Sequence, residues 1–163
     1  MSRVESLVLA LAQALRGAGL RLATAESCTG GLIAAACTAV AGSSDWFERG
    51  FVTYSNEAKI EAIGVDAALI QAHGAVSEEV ARAMAAGALA HSRAQLALAV
   101  TGIAGPGGAT PGKPVGTVWL ALARRDGAAQ AELLQLDGDR RSIREQAVER
   151  ALRRLLAFAT PAR

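Results

Sequence analysis

The stretch TAESCTGG, residues 24–31, brings hydroxyl groups, a carboxylate and a thiol together ahead of two glycines. Two of its side chains, Ser27 and Cys28, are candidate nucleophiles. Neither has an obvious histidine base. A serine can instead be activated by a neutral lysine that takes the hydroxyl proton, while main-chain N–H groups at a helix start hold the oxyanion. The lysines of the chain are therefore the candidate bases.

Lysine is rare in this chain, because only Lys59 and Lys113 are lysines among 17 basic residues. A desolvated lysine can lose its proton and act as a base, which arginine effectively never does. Lys59 ends the segment TYSNEAK, residues 53–59, which also holds the only tyrosine, Tyr54, and the only asparagine, Asn56. We expect Ser27, Tyr54 and Lys59 to form a catalytic group in which lysine is the base and tyrosine relays the proton.

Other interpretations of these residues stay open at this point. Ser27 is also a plausible helix N-cap. Cys28 is the rival nucleophile of a thiol enzyme, although nothing visible lowers its pKa except the same helix end. Glu26 either orients Lys59 or caps a neighbouring helix. For His73 and His91 we favour a structural role over membership of a Ser-His-Asp triad.

The sequence does not match several familiar phosphate-, dinucleotide- and metal-binding motifs. The segment GGATPGKP, residues 107–114, resembles a phosphate-binding P-loop, but Pro114 replaces the magnesium-binding hydroxyl and a strand follows where a helix should. A G-x-G-x-x-G dinucleotide fingerprint is absent. Neither histidine pairs nor clustered carboxylates suggest a catalytic metal. We therefore expect no metal and no cofactor.

Composition indicates an ordinary globular protein. The 163 residues are 52% hydrophobic and 20% charged, with a net charge of +2, and they are too few for two domains of usual size. We expect one domain over residues 1–163. Because there is no long apolar run, signal-peptide layout or basic stripe with interleaved aromatics, we expect a cytoplasmic protein that binds neither membrane nor nucleic acid.

The hydrophobic pattern predicts strands alternating with helices, followed by a hairpin and a last helix. The predicted helices are 4–20, an apolar buried helix beginning near Thr29, 56–64, 77–93 with Ser77 as N-cap, and 140–159; the predicted strands are 20–25, 50–55, 95–102 and a hairpin within 115–136 that turns at Asp126 and Gly127. This order predicts a three-layer α/β/α sandwich with a mixed sheet.

Three polar or glycine-rich segments lie where predicted strands end: residues 24–31, 53–59 and 101–114. Ligands bind at such ends, so we expect the three to converge on one pocket. Gly30 and Gly31 would leave a helix N-terminus open to a ligand. We accordingly place Thr29, Gly30 and Gly31 among the substrate-binding residues.

The chain closely resembles the CinA C-terminal domain family. The resemblance rests on the ordered blocks TAESCTGG, GSSDWFERGFVTYSNEAK, GAVSEEVA, TGIAGPGG and KPVGTVW, and the segment GDR, residues 138–140, extends it. It implies the three-layer fold, a homodimer in the stand-alone form, and hydrolysis of nicotinamide mononucleotide to nicotinate mononucleotide and ammonia. The family's serine, tyrosine and lysine fall on Ser27, Tyr54 and Lys59.

The resemblance also implies a substrate-binding set. The family's glycine loop falls on Thr101, Gly102, Gly105 and Pro106, and the arginine of its GDR segment on Arg140. Arg140 and the loop amides would then hold the 5′-phosphate, although Arg141 and Arg144 lie close enough to compete. A nucleotide-binding regulatory module without turnover is the alternative function, and the intact Ser27, Tyr54 and Lys59 argue against it.

Overall fold

A computed structural model describes residues 1–160, so residues 161–163 of the predicted single domain lie outside the described part. The elements in chain order are α1 (Arg3–Ala18), β1 (Leu22–Glu26), α2 (Leu32–Thr38), β2 (Phe47–Val52), α3 (Asn56–Ile63), α4 (Ala67–His73), α5 (Glu78–Ala90), β3 (Leu96–Gly102), β4 (Thr117–Arg124), β5 (Ala129–Gln135) and α6 (Arg140–Ala159). A short 3-10 helix, Ser43–Asp45, precedes β2.

The five strands form one mixed sheet in the order β2-β1-β3-β4-β5. Strand β1 runs parallel to β2 and β3, while β4 and β5 pair antiparallel. Helices α1, α2 and α6 contribute to the hydrophobic cluster on one face, and α3, α4 and α5 to the cluster on the other. The predicted three-layer α/β/α sandwich is confirmed.

The two faces of the central strands differ in side-chain size. Along β3, the large residues Leu96, Leu98 and Val100 face the α1/α2/α6 cluster, whereas Ala97 and Ala99 face the α3/α4/α5 cluster. Alternating side chains point to opposite faces of a strand. The alanine face therefore lets α5 pack close to the sheet, and the leucine face supplies the larger core.

The sheet topology gathers the chemistry at one edge. Because β1, β2 and β3 are parallel, their carboxyl ends, Glu26, Val52 and Gly102, lie at the same end of the sheet. The antiparallel hairpin β4–β5 returns the chain to that end, where α6 begins at Arg140. Such an edge is where ligands bind in α/β folds.

Two predicted elements need correction, and one helix was missed. The helix expected from Thr29 begins at Leu32, and only Ile33 and Cys37 of its residues are buried. Strand β2 begins and ends three residues before the predicted span of 50–55. Helix α4 was not predicted: its seven residues give too few apolar positions to show a helical period.

The remaining predicted elements agree with the structure. Ser77 caps α5, its hydroxyl accepting from the Val80 amide at 3.3 Å. The hairpin turns through Asp126 and Gly127, with Gly127 at φ +103°. Helix α6 spans the predicted residues, Arg140–Ala159.

Helix α5 touches the end of α3 through Gly87, where an added Cβ would lie 2.0 Å from the Ile63 carbonyl oxygen. We expect Gly87→Ala to lower the free energy of unfolding by about 1–3 kcal/mol, because the clash must displace α3 or α5. Gly17→Ala in α1 is the matched control, since its Cβ would meet nothing within 4 Å, and it should stabilise by about 0.5 kcal/mol. Urea unfolding measures both, and equal stabilities would contradict the predicted close contact.

Candidate active site

Ser27 is the first residue after β1. Its amide still donates to the Val100 carbonyl of β3 at 2.9 Å, so the sheet fixes the backbone here. Its side chain is 8% exposed. The N-cap residue of α2 is Gly31, which makes no side-chain cap bond of its own. The N-cap interpretation of Ser27 is therefore wrong, and its hydroxyl is left for contacts across the strand ends.

Lys59 brings an amine to that hydroxyl from α3. Its side chain is only 1% exposed, and its Nζ lies 3.1 Å from Ser27 Oγ. The same Nζ donates to the main-chain carbonyls of Thr53 at 3.1 Å and Tyr54 at 3.2 Å. Since Ser55 caps the start of α3, the helix holds Lys59 one turn from the strand end that it contacts.

The burial of Lys59 shifts its amine toward the neutral form. Burial lowers the pKa of Lys59, because removing an ammonium from water costs free energy. No carboxylate within residues 1–160 forms a salt bridge with it. A neutral amine has two N–H donors and one lone pair. In the structure Nζ donates to Ser27 Oγ as well as to the two carbonyls. If the amine loses a proton, the two carbonyls can take its remaining donors, and the Ser27 hydroxyl can turn its proton from the Tyr54 carbonyl to the lone pair of Nζ.

Tyr54 meets Ser27 through its main chain. Its carbonyl accepts from Ser27 Oγ at 3.4 Å and from Lys59 Nζ. Its side chain is 61% exposed, and the phenol oxygen accepts from Arg140 Nη2 at 3.3 Å. The structure thus joins Ser27 and Lys59 directly, while the Tyr54 hydroxyl lies with Arg140.

The glycine loop after β3 forms the opposite wall. The buried Thr101 hydroxyl donates to the Ala75 carbonyl at 2.9 Å, which ties the loop to the segment before α5. The Gly105 carbonyl accepts from Arg140 Nη1 at 2.8 Å. Gly105 has φ +81°, and a Cβ there would lie 2.5 Å from Val115. Glycine is therefore required at this bend.

These groups enclose a cavity of about 310 Å³. Its lining residues come from four segments and α6: Ser27, Cys28, Tyr54, Asn56, Lys59, Ala75, Val76, Thr101, Gly102, Ile103, Ala104, Gly105, Gly107, Gly108 and Arg140. The three predicted segments do converge on one pocket. Ala75 and Val76 were missed, since apolar residues in a connection carry no chemical signal.

Glu26, the residue before Ser27, has a structural role at the start of α2. Glu26 accepts from the Thr29 hydroxyl at 2.7 Å and from the amides of Ile33 and Ala34 at 2.8 and 3.0 Å. Glu26 therefore caps α2 and does not orient Lys59. Because Ile33 and Ala34 are already paired, these amides are not free to hold an oxyanion, contrary to our expectation for this helix start.

Thr29, Gly30 and Gly31 are not among the residues that line the cavity. Thr29 is fully buried, and both glycines have positive φ, +59° and +104°. Their place in the substrate-binding set stays a prediction.

The three neighbouring arginines have different surroundings. Arg140 lines the cavity. Arg141 is exposed and pairs with Glu145. Arg144 donates to the carbonyls of Cys28 and Thr29. Of the three, Arg140 alone faces the cavity.

The histidines lie away from Ser27. His73 lies 3.7 Å from Glu79 at the surface, and His91 Nδ1 contacts the Gly87 carbonyl at 2.8 Å. Across residues 1–160, no three His, Cys, Asp or Glu side chains cluster in a way that could hold a metal ion. In the same part of the chain, every helix is too short or too polar to cross a membrane.

Comparison with known proteins adds to this geometry. The family model described as "CinA C-terminal domain" matches residues 4–159. The chain belongs to this family. A solved structure of the "competence/damage inducible protein CihA" from Agrobacterium tumefaciens is 46% identical to our CinA-family chain, with a TM-score of 0.95 and 98% of each chain covered.

Relatives of this CinA-family chain differ in length. It is 52% identical over 143 residues to "Nicotinamide-nucleotide amidohydrolase PncC" of Escherichia coli K12, covering 88% of our chain and 87% of that protein. It is 54% identical over 156 residues to the "Putative competence-damage inducible protein" of Symbiobacterium thermophilum, covering 91% of our chain but 37% of that protein. The chain thus spans about a third of the length of its longer relatives.

Cys28 lies beside Ser27 in this CinA-family site, but burial raises the pKa of its thiol to about 11. Burial likewise raises the pKa of Cys37 to about 12. At pH 8 only about one Cys28 in a thousand would be a thiolate, and the thiolate is the reactive form.

We expect iodoacetamide to label both cysteines slowly in the folded protein and quickly in urea. Peptide mass spectrometry measures the rates; native Cys28 reacting as fast as a free thiol would revive the thiol-enzyme alternative.

Proposed function

We propose that this chain is a nicotinamide-nucleotide amidase that hydrolyses nicotinamide mononucleotide to nicotinate mononucleotide and ammonia. The observation that carries the proposal is the buried Lys59 amine 3.1 Å from the Ser27 hydroxyl, at the floor of a cavity that Arg140 lines. The name of the Escherichia coli relative, which is matched over most of its length, supports the substrate.

The proposed reaction begins with Ser27. As Oγ attacks the carboxamide carbon, neutral Lys59 takes the hydroxyl proton, and the C=O bond becomes an oxyanion. The cationic pyridinium ring makes this carbon more electrophilic. Protonated Lys59 then supplies a proton to the amide nitrogen, the C–N bond breaks, and ammonia leaves an acyl-Ser27 ester.

Water completes the cycle in the proposal. Lys59, again neutral, takes a proton from water as the water oxygen attacks the ester carbon. The C–Oγ bond then breaks, Ser27 regains its proton, and nicotinate mononucleotide is released. The Cys28 amide is our candidate oxyanion donor, because Cys28 lines the cavity and its amide donates to no other residue within residues 1–160.

Tyr54 keeps its proposed part as proton relay to the leaving nitrogen. Its exposed phenol, which receives a hydrogen bond from Arg140, would have to turn inward once substrate fills the cavity. The carbonyl of the same residue holds Lys59 in place. Tyr54 would thus serve the reaction at two atoms.

The phosphate end of the substrate belongs, in this proposal, to Arg140 and the main-chain amides of the loop of residues 101–107, in which Pro106 has no N–H to donate. Arg140 is the only arginine that lines the cavity within residues 1–160. Guanidinium groups and clustered main-chain N–H groups are typical phosphate donors. The proposal also includes a homodimer and a place in pyridine-nucleotide salvage, both implied by family resemblance.

An ammonia-release assay tests the proposal with three amides: nicotinamide mononucleotide, nicotinamide riboside and free nicotinamide. We expect the nucleotide to be hydrolysed far better than the other two, because binding of the remote phosphate orients the amide. EDTA should leave the rate unchanged.

Ser27→Ala should abolish turnover but retain nucleotide binding and melting temperature.

Arg140→Ala extends the same assay. It should reduce hydrolysis of the nucleotide alone and so narrow the gap between nucleotide and riboside. Strong activity on free nicotinamide, or loss of activity in EDTA with rescue by zinc or magnesium, would overturn the proposed substrate or mechanism.

Replacement of Lys59 tests the base. Lys59→Arg should be nearly as inactive as Lys59→Ala, because arginine keeps the charge but cannot accept the serine proton. Lys113→Arg is the matched control: Lys113 is the other lysine, it binds the His73 carbonyl away from the cavity, and its replacement should leave activity unchanged. Initial rates of ammonia release measure all three. A Lys59→Arg enzyme with about a third or more of the wild-type rate would mean that Lys59 acts through its positive charge and is not the base.

A further inference from the structure

Arg144 lies one turn after Arg140 on α6 but has a different set of partners. Its Nε donates to the Cys28 carbonyl at 3.0 Å, and its Nη2 lies 3.4 Å from the Thr29 carbonyl. Among residues 1–160 it forms no salt bridge. The partly buried guanidinium thus donates its hydrogen bonds to main-chain carbonyl oxygens of the turn that follows Ser27.

These two contacts fix two consecutive peptide units. The C=O and N–H of a trans peptide point in opposite directions, so holding the Thr29 carbonyl also sets the direction of the Gly30 amide. That amide donates to the Ser27 carbonyl at 3.0 Å. A chain of contacts therefore runs from Arg144 through the turn to the backbone of the candidate nucleophile.

The turn needs such support because it ends at Gly30 and a second glycine, Gly31, follows it. Gly30 and Gly31 adopt positive φ. Glycine has more backbone conformations available than other residues, so its own sterics hold it less firmly in any one of them. Glu26 holds one side of the turn through the Thr29 hydroxyl and the amides at the start of α2. Arg144 binds the turn separately, through the carbonyls of Cys28 and Thr29.

We propose that Arg144 is a positioning residue: it clamps the turn of residues 27–30 so that Ser27 Oγ stays in line with Lys59 and the Cys28 amide keeps its direction. The inference rests on the proposed function for its effect on rate. It assigns Arg144 a part distinct from that of Arg140, because Arg140 lines the cavity and Arg144 does not.

The kinetic test compares Arg144→Ala with Arg141→Ala. Arg141 lies on the same helix, is exposed, and pairs with Glu145. We expect Arg144→Ala to lower kcat for nicotinamide mononucleotide by about 10- to 100-fold with KM within about twofold of wild type, since misplacement of a reacting group costs rate more than binding. Arg141→Ala should match wild type.

Two further variants test the mechanism of the effect. Arg144→Lys should fall between wild type and Arg144→Ala, because an ammonium lacks the planar fork that spans two carbonyls. Added methylguanidinium should restore part of the kcat of Arg144→Ala and leave Arg141→Ala unchanged. A rise in KM with unchanged kcat would instead make Arg144 a substrate ligand and overturn the inference.

Hydrogen–deuterium exchange tests the clamp without any substrate. Amides of residues 27–33 should exchange faster in Arg144→Ala, while those of the second half of α6 keep wild-type rates. Unchanged exchange in the turn, or faster exchange throughout α6, overturns the clamp. A wild-type protein that releases no ammonia from the nucleotide would defeat the proposed function, and the exchange comparison would still decide whether Arg144 holds the turn.

Discussion

The burial of the Lys59 amine against the Ser27 hydroxyl is the constraint on which the rest of the site depends. Burial disfavours the protonated form of a primary amine that is 1% exposed and has no carboxylate partner within residues 1–160. Two main-chain carbonyls, those of Thr53 and Tyr54, satisfy its N–H groups. The same burial that lowers the pKa of Lys59 therefore also holds its Nζ 3.1 Å from Ser27 Oγ, within reach of the hydroxyl proton.

Each layer of the fold serves that contact. Parallel pairing of β1 with β2 and β3 brings Ser27, Tyr54 and the glycine loop to one end of the sheet. The alanine face of the sheet lets α5 approach closely, and Gly87 lets it pack against the end of α3, which carries Lys59. The hairpin brings α6 to the same edge, where one turn of helix presents two arginines in different directions. Arg140 reaches the cavity, and Arg144 reaches the turn behind Ser27.

Much of this arrangement could be predicted from the sequence because the signals were local. The apolar run of residues 95–102 indicated β3, the Asp126–Gly127 pair indicated the hairpin turn, and the scarcity of lysine singled out Lys59. The errors arose where tertiary contacts decide. Glu26 is seven residues before Ile33, whose amide it caps, so the late start of α2 has no local signal. The outward phenol of Tyr54 and the clamp by Arg144, which is 116 residues from Cys28, likewise depend on contacts that exist only in the folded chain.

The protonation state of Lys59 can be measured directly because the chain has only two lysines. Selective ¹³Cε-lysine labelling gives two side-chain signals, and Lys113→Arg removes one of them, which assigns the other to Lys59. We predict that the Lys59 signal titrates below the ordinary lysine pKa of about 10.4, in keeping with the lowering of its pKa by burial. Titration at or above that value would mean that burial does not lower the pKa of Lys59, and the account of Lys59 as the base for the Ser27 proton would lose its physical ground.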